Sequence, residues 1–262
     1  MTGLHVEVRG DGPPVVLLHG WGLNVRVWDT LAESLGGSLR LIGVDLPGHG
    51  QSAWRPACAS LGAQVAWIRE TVTSALGDSP YTVLGWSLGA QLALEWAATA
   101  SAQLARLVLF AATPRFMAAA DWPYGAPESR LVQLAEDLRR DYRRTIGEFL
   151  ELQVRGSAAG EAALGRLRTA LFAHGEARPA ALAAGLDLLM GTDLRPAVGR
   201  IAAPALLIAG QYDRVLRPAA SRALAQAMPH ARYAEIRRAA HAPFLSHPDE
   251  IAALVADFLG TS

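Results

Sequence analysis

An α/β fold follows from three features of this 262-residue chain. Apolar strand-like runs alternate with helical stretches from residue 15 to about residue 112, a strand-free helical stretch fills about 115 to 195, and alternation then resumes. Such alternation implies βαβ units, right-handed crossovers and a mostly parallel central sheet flanked by helices. The strand-free stretch is then an all-helical insertion, expected to sit as a cap over the C-terminal edge of the sheet. The expected division is a core of residues 1–114 and 196–262 and a cap of residues 115–195.

Residues 4–8 alternate and read as an edge strand, and Asp11-Gly12-Pro13-Pro14 reads as a turn. Val15-Val16-Leu17-Leu18 is continuously apolar, as a strand buried on both faces should be. It runs into the Gly-rich turn His19-Gly20-Trp21-Gly22. Residues 27–35 read as a helix stopped by Gly36-Gly37, and residues 41–44 as the next parallel strand, ending in a turn-rich loop at 45–52. Residues 61–76 form an amphipathic helix closed by Gly77. Strands follow at 81–84 and 106–110, with a helix at 90–97 between them. The insertion carries helical runs at 128–141, 144–154, 161–172 and 179–190. A strand at 205–209, a helix at 218–227, a short strand at 232–236 and a closing helix at 251–259 complete the reading.

Composition narrows the function. Hydrophobic residues make up 51% of the chain, which supports a large buried core, and the formal net charge is zero. Nothing global therefore points to nucleic acid or an anionic membrane. The 24 basic side chains are all arginine. One cysteine, Cys58, excludes an internal disulfide and a thiolate metal cluster. The N-terminus lacks the basic start and apolar stretch of a signal peptide, and no apolar run approaches the roughly 20 residues of a membrane helix. A cytoplasmic protein, without membrane or nucleic-acid partners, is expected.

The chemistry centres on Gly85-Trp86-Ser87-Leu88-Gly89, which follows a buried strand and opens a helix. A serine between two glycines on such a turn is the nucleophile elbow of the α/β-hydrolases. The turn strains the serine backbone and demands small neighbours two places to either side, which the glycines provide. The hydroxyl is then held above the sheet at a helix N-terminus, where developing negative charge is favoured.

A serine hydroxyl needs a base, itself oriented by a carboxylate, and in this fold the order along the chain is serine, acid, histidine. Asp213 directly follows the strand at 205–209 and is the expected orienter, although a turn-forming aspartate would look the same here. His241 follows the strand at 232–236 and is the expected base. Of the other histidines, His5 and His174 fall outside the C-terminal loops, His19 and His49 occupy Gly-rich turns as structural residues, and His230 precedes the last strand. His247 is placed to cap the last helix. The oxyanion needs two donors, expected from the backbone amides of Leu88 and Trp21. No metal or organic cofactor is required.

These motifs occur together with Leu23-Asn24 and Val27-Trp28, with Val44-Asp45-Leu46-Pro47-Gly48-His49-Gly50-Gln51-Ser52, with Phe149-Leu150-Glu151-Leu152-Gln153, and with Ala239-Ala240-His241-Ala242-Pro243-Phe244-Leu245-Ser246-His247-Pro248. In this combination the chain resembles the BioH family, the pimeloyl-[acyl-carrier protein] methyl ester esterases of bacterial biotin synthesis, over nearly its whole length. The resemblance implies a serine carboxylesterase with Ser87, Asp213 and His241 catalytic. It also implies substrate contacts from Trp21, Ser87, Leu88, Phe149, Leu150, Glu151, Leu152, Gln153 and His241. Trp21, Trp86 and Phe149 suit a methylene chain, although Phe149 and Leu152 would also serve as plain cap core. Arg139, Arg140, Arg143, Arg144 and Arg155 form a basic stretch of the cap that would meet an acidic acyl-carrier protein, against the alternative of a solvated helix with interleaved Glu136, Asp137, Asp141 and Glu148. The expected enzyme is a monomer. The same triad would also serve a general short-chain carboxylesterase or another small-molecule hydrolase, and a non-catalytic relative would instead bind a ligand.

Overall fold

The structure is a computed structural model that describes residues 3–99, 103–157 and 159–261. Met1, Thr2 and Ser262, at the outer ends of the expected core, lie outside the described residues. In chain order come β1 (Val6–Arg9), β2 (Pro14–Leu18), α1 (Asp29–Leu35), β3 (Arg40–Val44), α2 (Leu61–Leu76), β4 (Tyr81–Trp86), α3 (Leu88–Ala98) and β5 (Leu104–Phe110). Next come α4 (Glu128–Arg140), α5 (Tyr142–Val154), α6 (Gly160–His174), α7 (Pro179–Gly191) and the single turn α8 (Arg195–Val198). The chain closes with β6 (Ala205–Gly210), α9 (Pro218–Ala227), β7 (Ala231–Ile236), the short α10 (Pro243–Ser246) and α11 (Pro248–Leu259).

The seven strands form one sheet in the order β1-β3-β2-β4-β5-β6-β7. β1 runs antiparallel to β3, and the remaining pairs are parallel. β2, β4 and β6 are buried at every position, so their sequences are near-continuous apolar runs. The outer strands β1 and β7 are partly exposed, in keeping with Glu7 and Arg232 in their sequences. α1 packs on α11, α2 on α3, and α9 against β6 and β7. Among the described residues no helix is long and apolar enough to cross a membrane.

Several boundaries differ from the sequence reading for local reasons. The first strand begins at Val6 rather than Leu4. The helices read at 128–141 and 144–154 end at Arg140 and begin at Tyr142, because Asp141 between them is extended (φ −154°, ψ 93°) and its carboxylate accepts the Arg144 amide at 3.1 Å, which starts the second helix. His247 does precede α11, but its ring bonds the Ser246 hydroxyl at 2.8 Å instead of capping the helix amides.

β5 and β6 are neighbours in the sheet, yet the chain between them carries α4 to α8. Between residues 115 and 195 the described residues form isolated bridges, such as Met117 with Ala126, and no strand. Trp28, Trp86, Phe110 and Phe244 pack ring to ring at 4.6–6.2 Å between centroids. Phe244 lies three residues after His241, so this cluster fixes the loop that carries the histidine.

Candidate active site

Ser87 stands between β4 and α3 with φ 56° and ψ −114°, a region that side chains other than glycine rarely adopt. Two close approaches hold it there. A Cβ on Gly85 would strike the Gly89 carbonyl, and one on Gly89 would strike the Leu18 carbonyl of the neighbouring strand. The Ser87 amide donates to the Phe110 carbonyl at 3.1 Å, and the Ser87 carbonyl accepts the amides of Ala90 and Gln91. The serine is thus tied on both sides and opens a helix whose first amides are unpaired.

Asp213 lies just past β6 and His241 just past β7, at the same edge of the sheet. Nδ1 of His241 donates to Oδ2 of Asp213 at 2.7 Å. The other oxygen, Oδ1, accepts the amides of Val215 and Leu216, each at 2.9 Å. Both side chains are buried. The carboxylate is therefore fixed in orientation and in turn fixes the imidazole tautomer. Nε2 of His241 is buried with no hydrogen-bond partner among the described residues, so it is the ring nitrogen available for a proton. Trp86, adjacent to Ser87, donates its indole N–H to the His241 carbonyl at 2.9 Å, and its ring lies 5.6 Å from the imidazole. This contact brings the histidine loop to the elbow. Ser87 Oγ and Nε2 do not hydrogen-bond to each other here, as is common in sites without substrate.

The turn after β2 is ordered by His19, whose part sequence reasoning left at a general structural one. The Leu46 amide donates to Nε2 of His19 at 2.9 Å, so Nδ1 carries the hydrogen and donates to the Gly20 carbonyl at 2.8 Å. Burial, the largest influence, and then the nearby His49 push the His19 pKa well down, so the ring is neutral. A peptide's C=O and N–H point in opposite directions. Tying the Gly20 carbonyl to His19 therefore aims the Trp21 amide the other way. Neither the Trp21 nor the Leu88 amide donates a hydrogen bond among the described residues. The Trp21 indole N–H donates to the Leu182 carbonyl of α7 at 3.0 Å, and its ring meets Phe149 edge to face at 5.2 Å.

Above these groups lies a cavity of about 450 Å3. Trp21 and Ser87 line it from the sheet side, and Phe116, Leu131, Phe149, Leu152, Leu186 and Leu189 from the helical segment. The size is ordinary for a small-molecule site. The structure corrects the expected contacts of the 149–153 run. Phe149 and Leu152, three apart on α5, share the cavity face. Leu150 is wholly buried in the core, and Glu151 turns outward to pair with Arg168 at 2.7 Å. Gln153 is buried away from the cavity, and its carbonyl accepts the Ala242 amide at 3.2 Å. It braces the histidine loop. The side chains of Leu88 and His241 lie beside the cavity and do not form its wall.

The five arginines of the expected basic stretch are exposed, but three are committed. Arg140 lies 4.0 Å from Glu136 and 3.9 Å from Asp137, Arg143 is 2.8 Å from Glu176, and Arg144 is 2.9 Å from Glu148. Arg139 and Arg155 have no carboxylate partner among the described residues. His174 ends α6 and so lies outside the C-terminal loops, but its Nε2 reaches Asp45 of the loop after β3 at 2.8 Å.

A family model for the α/β hydrolase fold matches residues 13–248. A pimeloyl-[acyl-carrier protein] methyl ester esterase of Nitrosomonas europaea is 40% identical over 95% of this chain and 97% of its own. One of Xanthomonas oryzae pv. oryzae is 43% identical over 98% of this chain and 99% of its own. Among solved structures, an esterase from Exiguobacterium antarcticum superposes with a TM-score of 0.89, at 22% identity and covering 99% of this chain and all of that one, a likeness of fold alone. With the elbow, the buried acid–histidine pair and two full-length relatives in agreement, the chain belongs to the α/β-hydrolases and, among them, to the pimeloyl-[acyl-carrier protein] methyl ester esterase family.

Proposed function

We propose that this chain is a serine esterase that hydrolyses the methyl ester of a pimeloyl chain carried on an acyl-carrier protein, releasing methanol. The observation that carries the reading is the buried Asp213–His241 pair, its Nε2 free, beside a strained serine under an apolar cavity. The relatives named for that reaction supply the substrate. His241 takes the Ser87 proton as Oγ attacks the ester carbonyl. The amides of Leu88 and Trp21 hold the oxyanion, where one donor is worth about 2.7–4 kcal/mol. The tetrahedral intermediate collapses with loss of methoxide, which His241 protonates to methanol. Water then attacks the acyl-enzyme, giving its proton to His241, and the carboxylate leaves as Ser87 regains its hydrogen. Asp213 stays ionised and holds the imidazole throughout.

The 115–195 segment acts as a cap in this reading, because α4, α5 and α7 supply most of the wall that shelters the methylene chain. Arg139 and Arg155 are assigned to the acidic carrier, since their charge is not already committed. The test joins a serine-reactive phosphonate probe with a series of methyl esters of rising chain length. Labelling at Ser87, its loss in Ser87→Ala, and a rate rising towards the seven-carbon acyl chain are expected. An unlabelled Ser87 would remove the esterase reading, and a flat length profile would favour a general carboxylesterase.

A further inference from the structure

The Ser87 cavity shares part of its lining with a neighbouring chamber. Ala126, Arg130, Arg214 and Val215 are shared with a second chamber of about 270 Å3 that extends to Tyr124 and Arg217. The acid in its lining, Asp213, is fully engaged with His241 and two backbone amides. The acids at the edge of the main cavity are also engaged. Asp137 accepts from Gln133 at 2.9 Å, and Glu148 holds Arg144. Arg140, Arg143, Arg144 and Arg168 on the helical segment each pair with a carboxylate, whereas Arg130, Arg214 and Arg217 have none among the described residues. Nη1 of Arg130 donates to the Arg214 carbonyl at 3.0 Å, which ties that guanidinium to the loop after β6. Three guanidinium groups without an ion-pair partner of their own therefore line this chamber, beside the Asp213 carboxylate that His241 and two amides hold.

We propose that Arg130, Arg214 and Arg217 form an anion subsite that gives this enzyme a second substrate class: free half-esters of medium-chain dicarboxylic acids. The uncharged methyl ester lies at Ser87, the methylenes fill the apolar cavity, and the distal carboxylate meets the guanidinium groups. Arginine suits this task because its planar fork matches a carboxylate with two parallel hydrogen bonds. The hydrolysis is the one derived above, ester plus water giving carboxylate, methanol and a proton, so the proposal rests on that reading for its chemistry. An anion on the acyl chain has a second source, the phosphodiester of a carrier's prosthetic arm. That phosphate lies beyond the thioester by the length of the arm, whereas this chamber shares four lining residues with the serine cavity.

Steady-state hydrolysis by the full chain tests the proposal with monomethyl pimelate, with methyl heptanoate as its uncharged match, and with the pimeloyl methyl ester thioesters of pantetheine and of pantetheine 4′-phosphate. In Arg130→Gln/Arg214→Gln the preference for the half-ester over methyl heptanoate, as a ratio of kcat/KM, should fall about tenfold or more. The loss should appear in KM. Added salt should erode the same preference in the unaltered enzyme, an arm that depends on no variant folding. A preference that neither salt nor the substitutions move would overturn the proposal. So would a loss confined to the phosphorylated thioester, which would assign the anion to the arm. Failure of the unaltered enzyme to cleave any of the four esters would instead overturn the esterase reading.

Discussion

Replacing Ser87 by glycine should leave a more stable protein than replacing it by alanine. Both variants lose the proposed nucleophile, so activity cannot separate them, but their backbones differ. Alanine keeps a Cβ and with it the steric cost of φ 56° and ψ −114°, of order 1–3 kcal/mol for a residue in so sparse a region. Glycine adopts these angles without that cost. Two effects oppose the gain. The greater freedom of an unfolded glycine removes about 0.5–1 kcal/mol. The half-buried methyl group of alanine contributes a fraction of the roughly 0.8 kcal/mol of a fully buried one. The net advantage of glycine is about 1 kcal/mol. Urea unfolding followed by tryptophan fluorescence resolves this, because at slopes of about 1–3 kcal/mol/M the midpoint shifts by roughly 0.3–1 M with the slope unchanged. An alanine variant as stable as the glycine variant would show that the turn holds no strain at 87. The close approaches of Gly85 and Gly89 would then need another explanation.

Two further outcomes follow from the site and its surroundings. Phe149→Ala removes an aromatic wall that meets Trp21 at 5.2 Å, and should lower kcat/KM for methyl heptanoate by about tenfold to a hundredfold, since burying such a side chain is worth about 1.5–3 kcal/mol. Methyl acetate, too short to reach it, should be nearly unaffected, and equal losses on both esters would take Phe149 out of the cavity wall. Acid should destabilise the fold through His49, whose pKa burial lowers from its ordinary 6.5 to about 4. The unfolded chain binds the extra proton between those values, so the stabilising contribution is complete above pH 6.5 and is lost as pH falls to 4, by about 3 kcal/mol. His19 is shifted in the same direction. Urea midpoints measured from pH 7.5 downwards should fall less steeply in His49→Gln, and parallel slopes would refute the assignment.

What the sequence made legible was local or set by chain order. The elbow is written in five residues because its steric demand falls on positions 85 and 89 themselves. Asp213 and His241 could be located because each directly follows a strand. The alternation that marked β2 to β5 works because a strand covered on both faces must be apolar throughout. What escaped depends on partners distant in sequence. His19 acts through an amide 27 residues away, and His174 through a carboxylate 129 residues away. That Arg143 of the arginine stretch would meet Glu176 of the loop after α6 was likewise hidden. In the run from Phe149 to Gln153 only Phe149 and Leu152 line the cavity, and a contiguous motif cannot say which helix face does so.

The described residues include two buried histidine–aspartate pairs of nearly the same length, 2.7 Å for His241 with Asp213 and 2.8 Å for His174 with Asp45. Residue type, burial and distance alone do not separate them. The difference lies in what each pair leaves free. In the second, Gln51 donates its side-chain amide to Nδ1 of His174 at 3.3 Å, and Asp45 also takes the amides of Val25 and Gln51. The hydroxyl nearest in sequence, Ser52, already bonds the Asp45 carbonyl and the His5 amide. Both ring nitrogens are thus occupied, so the pair binds α6 to the loop after β3 and has no position from which to accept a proton. In the first, the carboxylate is equally saturated, but Nε2 of the imidazole is free and the strained serine stands next to the tryptophan that holds the histidine loop. Orientation by a carboxylate braces a histidine in both places. In the proposed mechanism it serves catalysis only at the first, where the far nitrogen is left without a partner among the described residues.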